Sequence, residues 1–549
     1  MILGTTKAID LSTSSFERIV TDGSLYVDKT HMIEHFLRDS SAVHLITRHR
    51  RLGKTLNMDA LRCFLTDAAD YRHLFKGLYI ESSPVWEKAN SAPVFYFDFK
   101  GLTGEGYKRQ LEKTIVKYAY SLCEPKNLDG YAKRCFDNIV DGNFEISDGL
   151  LILTEFAYET TGKRSYILID EYDKLLMDNY KSDKYEEIRD FETLFFSAGV
   201  KGNHYLQKAL ITGVMRISKE SLFSGLNNIE VFDMFDDELY TNDYGFTEAE
   251  VAELCEMAEL DTTAKAAMKA WYNGIMINGT PIYNTYSTVS FLKKGKFECH
   301  WTRSGVMDTI ADLLNEERME RITRLLAGEQ IEMPVERRFS VIGLLKKPQD
   351  SDFYSLLVQA GYLAVQKNLE SSETAYDFML LSVPNKELEI AWQQFILKHA
   401  FAEPAAVLNI FRNHKNPKKF AEDLEKIFDD RMSVYDFEKP RDREKQKILE
   451  RTYQQLMLIL LCAYGDSEKH PLSNRESGDG RYDILVERRE AYYIFELKSC
   501  EKAEQLETAA QQALQQINFK RYGAELDSDK RLIKIGMAFC GKQCRVVCG

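Results

Sequence analysis

Four short stretches in the first 230 residues, VHLIT (43–47), PVFYFDF (93–99), SYILID (165–170) and KALITGV (208–214), are apolar at nearly every position. A strand with one wet face alternates apolar and polar residues, so uninterrupted runs like these mark strands covered on both faces. A parallel sheet with crossover helices supplies that cover. The segments Leu56 to Phe64, Gly106 to Cys123 and Tyr185 to Val200 are long enough to be the crossovers. Residues 1–230 therefore read as an α/β domain with a parallel sheet and helices on both faces.

The remainder changes character. FTEAEVAELCEMAEL, TTAKAAMKAWY, MDTIADLLNEERMERITRLLAG and FYSLLVQAGYLAV read as helices joined by short turns, which predicts a mostly helical lid or linker domain over 231–385, with a small hairpin near 331–342. From 386 to 549 the order is helices, then RYDILVERREAYYIFELK as two strands about a charged turn, then the helical EQLETAAQQALQQI and the strand LIKIGMAF. That order predicts a second compact α/β domain. Three domains suit 549 residues at roughly 150 per domain. The longest apolar stretch, LMLILLCAY (456–464), falls short of the ~20 residues that span a bilayer. The first twenty residues lack a basic segment followed by an apolar one. No membrane partner is expected, and a cytoplasmic location is.

A net charge of −13 argues against coating nucleic acid by bulk charge, yet from Arg441 onward the charges nearly balance and a polyanion meets less repulsion there. Ten cysteines are scattered, as reduced core thiols would be. Cys540, Cys544 and Cys548 recur every four residues, but they lack a CxxC or a fourth ligand. LIKIGMAF reads as a strand, so a zinc site is not the favoured reading.

Directly after the first strand stands Thr47-Arg48-His49-Arg50-Arg51-Leu52-Gly53-Lys54-Thr55, leading into a helix. A phosphate loop needs backbone N–H groups at a helix N-terminus, a lysine for the β and γ phosphates and a hydroxyl for Mg²⁺. Gly53, Lys54 and Thr55 supply the last three positions of G-x-x-x-x-G-K-[ST], while Arg48 occupies the place of the first glycine. Arg50 and Arg51 add positive charge to the loop. The strand 165–170 ends in Asp170 and Glu171, the pair expected to hold Mg²⁺ and to polarise an attacking water. The next strand ends in Thr212-Gly213-Val214-Met215-Arg216, so Thr212 is a candidate sensor of the γ-phosphate and Arg216 a candidate for transition-state charge. ATP and Mg²⁺ are the expected cofactors.

The second constellation is Asp483, Glu496 and Lys498. A turn centred between Arg489 and Glu490 pairs residues whose numbers sum to 979, which sets Asp483 opposite Glu496 with Cβ atoms within about 5 Å. Alternation then turns Glu496 and Lys498 to one face and Phe495 and Leu497 to the other. Two acids that hold Mg²⁺ and a lysine that orients water or meets developing charge are what phosphodiester hydrolysis needs. Glu450, on the preceding helix, is a candidate further acid. Gln511 and Gln515, on the following helix, are candidate polar partners. Asp98, Trp271, Tyr272 and the basic turn Lys415, Lys418 and Lys419 read as a strand end, packing residues and a solvated loop.

With these motifs in view, the chain resembles a bacterial and archaeal two-part family, an AAA-ATPase-like region fused to a PD-(D/E)XK nuclease-like region. The matching stretches are YVDKT (26–30), RHRRLGKT, LIDEYDK (168–174) with Asp173 and Lys174, TGVMRISKESLFSGLNN (212–228), GFTEAEV (245–251), WYNG (271–274), YNTYS (282–286), SNRESGDGRYDILV and FELK. The resemblance implies a P-loop NTPase-like first domain and a restriction-endonuclease-like last one. It implies ATPase and metal-dependent nuclease activities, with ATP gating cleavage. The implied partner is nucleic acid, DNA ahead of RNA, and the resemblance leaves homo-oligomer formation open. A nucleotide-dependent switch that binds nucleic acid or a protein without cutting is the alternative.

Overall fold

The computed structural model describes the chain from Met1 to Gly549 except residues 7, 103, 105, 218–227, 236, 301–304, 338–347, 370–376, 401–415, 432–449, 451–452, 455–456, 459, 462–471, 474–475, 479, 488–490, 525, 527–528 and 541–542. It forms two compact units, one made of 1–298 with 332–380 and the other of 299–331 with 381–549.

In the first unit the apolar runs form a five-stranded sheet: β1 (Val43–Thr47), β2 (Val94–Asp98), β3 (Ser165–Asp170), β4 (Leu206–Gly213) and β5 (Ile229–Phe232). The spatial order is β2-β3-β4-β1-β5 and every pairing is parallel. All residues of β1 and β3 are buried, as strands with helices on both faces must be. On one face Ile46, Tyr166, Leu168 and Leu210 pack with Leu61 and Phe64 of α1 (Lys54–Leu65). On the other, Phe97 meets Tyr118 of α2 (Tyr107–Leu122) and Phe195 of α4 (Tyr185–Val200), with α3 (Gly149–Thr161) packed between α2 and α4. β4 lies between β1 and β3, so the end of β4 stands between the phosphate loop and the Asp170–Glu171 pair.

The stretch expected as a separate helical domain is partly taken into this unit. Phe232, Tyr240, Tyr244, Ile275, Ile277 and Ile282 share the core that α1 packs against, and Ile275–Ile277 with Thr280–Ile282 make a hairpin. The helix α5 (Asp350–Gln359) and a strand Ala364–Leu369 belong to the same unit. The boundaries expected at 230/231 and 385/386 thus differ from the unit limits, because apolar side chains far along the chain find their partners on the sheet. Ile331–Pro334 is a strand, while the far arm of the expected hairpin (338–342) lies outside the described residues.

The second unit carries the other sheet: β6 (Leu472–Ser473), β7 (Ile484–Glu487), β8 (Ala491–Ser499), β9 (Arg531–Cys540) and β10 (Gln543–Cys548), hydrogen-bonded in that order. The β8–β9 pair is parallel and is bridged by helix α7 (Leu506–Phe519), while β7 and β10 run antiparallel to their neighbours. Another helix, α6 (Pro417–Arg431), packs on β10. Ala509, Ala510, Ala513 and Ile517 form the face of α7 that lies on the sheet. A Cβ added at Gly536 would stand 2.4 Å from the Ala510 carbonyl oxygen, so α7 seats this close only because β9 carries glycine there. Cys540 lies on β9 and Cys544 and Cys548 on β10. Among the described residues no three His, Cys, Asp or Glu side chains are placed to hold a metal together. No described helix is long and apolar enough to cross a membrane.

Candidate active sites

The loop Arg48–Gly53 joins β1 to α1. Arg51 (φ 64°) and Gly53 (φ 85°) take left-handed backbone, which turns the chain sharply into the helix. The loop is held from outside by segments that the sequence marked: Gly245 N–H donates to Leu52 O (2.9 Å), Thr285 Oγ1 to Arg51 O (2.6 Å) and Asn57 Nδ2 to Asp243 O (2.8 Å). The Arg51 guanidinium lies 4.9 Å from the Tyr286 ring centre. Arg50 is half-buried and Arg51 exposed on this loop.

Arg48, where a phosphate loop has its first glycine, is 1% exposed. Its guanidinium pairs with the buried Asp237 and donates to Thr47 O (2.8 Å) and Phe232 O (3.1 Å). Burial pulls its pKa down to about 10, which still leaves it charged at neutral pH. His49 Nε2 donates to Val358 O at the end of α5 (2.9 Å), and burial pushes its pKa down to about 3. The Lys54 ammonium, itself buried, donates to Arg48 O and His49 O, both at 3.0 Å.

Asp170 stands across from this loop. One carboxylate oxygen accepts from Thr55 Oγ1 (2.6 Å) and the other from Thr212 Oγ1 (2.6 Å), so the loop, the acidic strand end and the intervening strand converge on a single carboxylate. Glu171 is half-buried with φ 56°, a backbone region uncommon outside glycine and found at functional turns. Asp173 accepts from the N–H groups of Val214 (3.1 Å) and Met215 (2.7 Å), and burial, reinforced by Glu171, lifts its pKa to about 6. Lys174 pairs with Asp178 one turn along its helix. Arg216 is ion-paired with Asp233, and its N–H donates to Gln359 Oε1 (2.8 Å). Asp98 is paired in register with Asp170 and accepts from Lys100 N–H (2.8 Å), closing its strand end. Trp271 stacks on Phe297 and Tyr272 is fully buried, both as packing residues. Lys418 and Lys419 are exposed at the start of α6; Lys415 lies outside the described residues, as do residues 218–227.

In the second unit the hairpin pairs Ile484 with Phe495 and Leu485 with Ile494, the register that sets Asp483 opposite Glu496. Asp483 Oδ2 accepts from Leu497 N–H (2.7 Å). Burial raises the pKa of both carboxyls above the usual range, and for Glu496 the facing Asp483 raises it further. Glu496 Oε2 is buried and has no hydrogen-bond partner among the described residues. Glu450 reaches the same strand, accepting from Ser499 N–H (2.8 Å), and Gln454, one turn on, donates to Asp483 O (2.8 Å). Asp479 lies outside the described residues.

The helix residue in this site is neither Gln511 nor Gln515 but Gln516. Its Nε2 donates to Glu496 Oε1, and its Oε1 accepts from Lys498 Nζ (2.8 Å), so one amide ties the acid to the lysine. Gln511 sits on the opposite flank of α7, where its Nε2 donates to Glu507 (3.3 Å), and Gln515 is exposed. The signal was present in the spacing: three residues after Ala513, Gln516 borders the buried stripe, as Gln511 and Gln515 do not.

A buried pair of carboxylates with an unsatisfied oxygen fits a divalent cation, which takes hard oxygen ligands and needs few from the protein when phosphate oxygens complete its shell. Asp483 and Glu496 would hold it. At the other site Thr55 and Asp170, already hydrogen-bonded to each other, are the oxygen donors that would meet the ion of a nucleoside triphosphate.

Residues 10–223 match a family model described as a predicted AAA-ATPase, and residues 449–548 match the PD-(D/E)XK nuclease superfamily. A protein described as an uncharacterized protein in the vnfD 5′ region, from Azotobacter chroococcum mcd 1, is 28% identical over 407 residues, 73% of this chain and 72% of the relative.

Proposed function

Because the chain joins an AAA-ATPase-like region to a PD-(D/E)XK nuclease superfamily region, we propose that it is an ATP-dependent nuclease, in which ATP binding and hydrolysis by the first unit gate phosphodiester cleavage by the second. The reading rests chiefly on the grouping of Asp483, Glu496, Lys498 and Gln516, with Glu450 close by. Asp483 and Glu496 would hold a magnesium ion, which when bound would supply Lewis-acid polarisation of the phosphate and a more acidic water. Lys498, aimed by Gln516, brings a positive charge to the developing phosphorane and orients the nucleophile. Glu450 holds the end of β8 and adds negative charge on the water side. The substrate is nucleic acid, with DNA proposed ahead of RNA, acted on in the cytoplasm.

In the first unit Thr55 and Asp170 are assigned to the Mg²⁺ of ATP, Lys54 with Arg50 and Arg51 to the phosphates, and Glu171 to the attacking water. Thr212 reports the γ-phosphate through Asp170. Arg216 reaches transition-state charge only by leaving Asp233.

The test is cleavage of DNA with Mg²⁺ and ATP by wild type beside Lys498→Ala and Asp483→Ala. Each variant is expected to lose about a thousandfold in rate. Undiminished cleavage in both would falsify the assignment. A second reading, a nucleotide-dependent switch that binds without cutting, is favoured by Lys54 donating to its own loop and by Arg48 in place of glycine. Tight ATP binding with DNA capture and no cleavage would select it.

A further inference from the structure

Phe519, the last residue of α7, is 81% exposed. Among the described residues the ring packs into no core, since the sheet-facing stripe of this helix is Ala509, Ala510, Ala513 and Ile517. At 100° and 1.5 Å per residue, Phe519 lies about 60° around the helix from Gln516 and about 4.5 Å further along it. Gln516 is the residue whose amide joins Glu496 to Lys498, so the ring stands on the flank of α7 that faces the carboxylates. The other flank is engaged elsewhere: Asn518 accepts from Lys534, and Glu507 pairs with Arg545.

The neighbours of the ring decide what it fits. Gln512, Gln515 and Gln516 precede it on or near the same flank, and Lys520 and Arg521 follow it, with Arg521 exposed. The stem of Lys520 lies close to Gly480, three residues before Asp483. A protein interface needs a contiguous apolar patch, and one ring among amides and cations is not one. A nucleobase needs only a single aromatic face, with cations for the phosphates on either side.

We propose that Phe519 is a stacking platform for an unpaired base of single-stranded DNA, holding the strand so that a nearby phosphate lies at Asp483 and Glu496. The proposal rests on the nuclease reading. A base in a duplex is already stacked on both sides, so the platform favours single strands or frayed ends over intact duplex.

The experiment uses the full chain with Mg²⁺ and ATP and compares wild type, Phe519→Ala and Phe519→Trp on a single-stranded oligodeoxynucleotide carrying 2-aminopurine and on its duplex. Phe519→Ala is expected to raise KM for the single strand roughly tenfold, to leave kcat within about twofold and to abolish the 2-aminopurine quenching, and Phe519→Trp to restore both. The exposed position leaves folding intact, which circular dichroism checks. Wild-type cleavage with Phe519→Ala unchanged in KM and quenching overturns the platform and leaves the nuclease reading standing. An equal loss on duplex, or a fall of Phe519→Ala to a smaller sedimenting species, overturns it too, the latter by showing a second copy on the ring. Wild type that neither binds nor cuts DNA instead removes the nuclease reading on which the proposal rests.

Discussion

Lys54 and Lys498 each stand beside acidic strand ends, but their surroundings differ in kind. Lys54 donates to two carbonyls of its own loop, and Asp170 opposite it is hydrogen-bonded on both oxygens by Thr55 and Thr212. Lys498 donates to a side-chain amide, and the acid at the other end of that amide, Glu496, has a buried oxygen without a partner among the described residues. Lys54, Thr55 and Asp170 are thus hydrogen-bonded within the protein, although Arg48 Nε, His49 Nδ1 and Asp173 Oδ1 nearby are buried without a partner among the described residues, so phosphates have to compete for the lysine. In the second site burial disfavours the ionised form of Asp483 and Glu496, and a cation would favour it. Lys54 can therefore be held by hydrogen bonds of its own loop, while Asp483 and Glu496 would be helped to ionise by a cation.

The contrast breaks first at Arg48. If its pair with Asp237 is what pins the loop, Arg48→Ala leaves a buried carboxylate alone and lowers stability by about 3–5 kcal/mol in denaturant titration, and Arg48→Met with Asp237→Leu recovers most of it. A wild-type-like midpoint for Arg48→Ala would mean that the loop is held by something else. His49 gives a smaller effect that belongs to the first unit alone. Burial lowers its pKa from 6.5 to about 3, so the unfolded chain takes up a proton below pH 6.5 and the folded one does not. Stability from this residue is full above pH 6.5 and drains as pH falls toward 3, about 2 kcal/mol by pH 5. His49→Gln, which keeps a donor for Val358, should flatten that part of the pH profile; an unchanged profile would show that His49 is not the cause. The smallest effect sharpens the second site: Gln516→Ala should slow cleavage about tenfold by freeing Lys498 and Glu496, whereas Gln511→Ala should do nothing measurable. Equal rates for the two variants would erase the distinction drawn between them.

Much of this was legible in residue order. Runs such as SYILID announce their burial because neither face can be polar, and the 979 register of the hairpin follows from the centre of its turn. What stayed hidden depends on partners far along the chain. Asp237 answers Arg48 from 189 residues away, so the missing glycine reads as a defect until the ion pair is seen. Gln516 was obscured by glutamines at neighbouring positions on one helix, where only the seating of α7 on Gly536 shows which amide faces the acids. Phe232, Tyr240 and Ile282 carry no mark that their core is the sheet rather than a helical domain of their own.

Residues 332–380 return to the first unit between two stretches of the second, so the chain passes from one to the other three times. Neither half is a detachable module. A truncation after residue 298 discards Val358 and Gln359, the acceptors for His49 and Arg216, and a fragment starting at 381 leaves 299–331 behind. Expression of either unit alone therefore calls for splicing two segments together, and a stop codon in the middle of the gene would ruin both units at once.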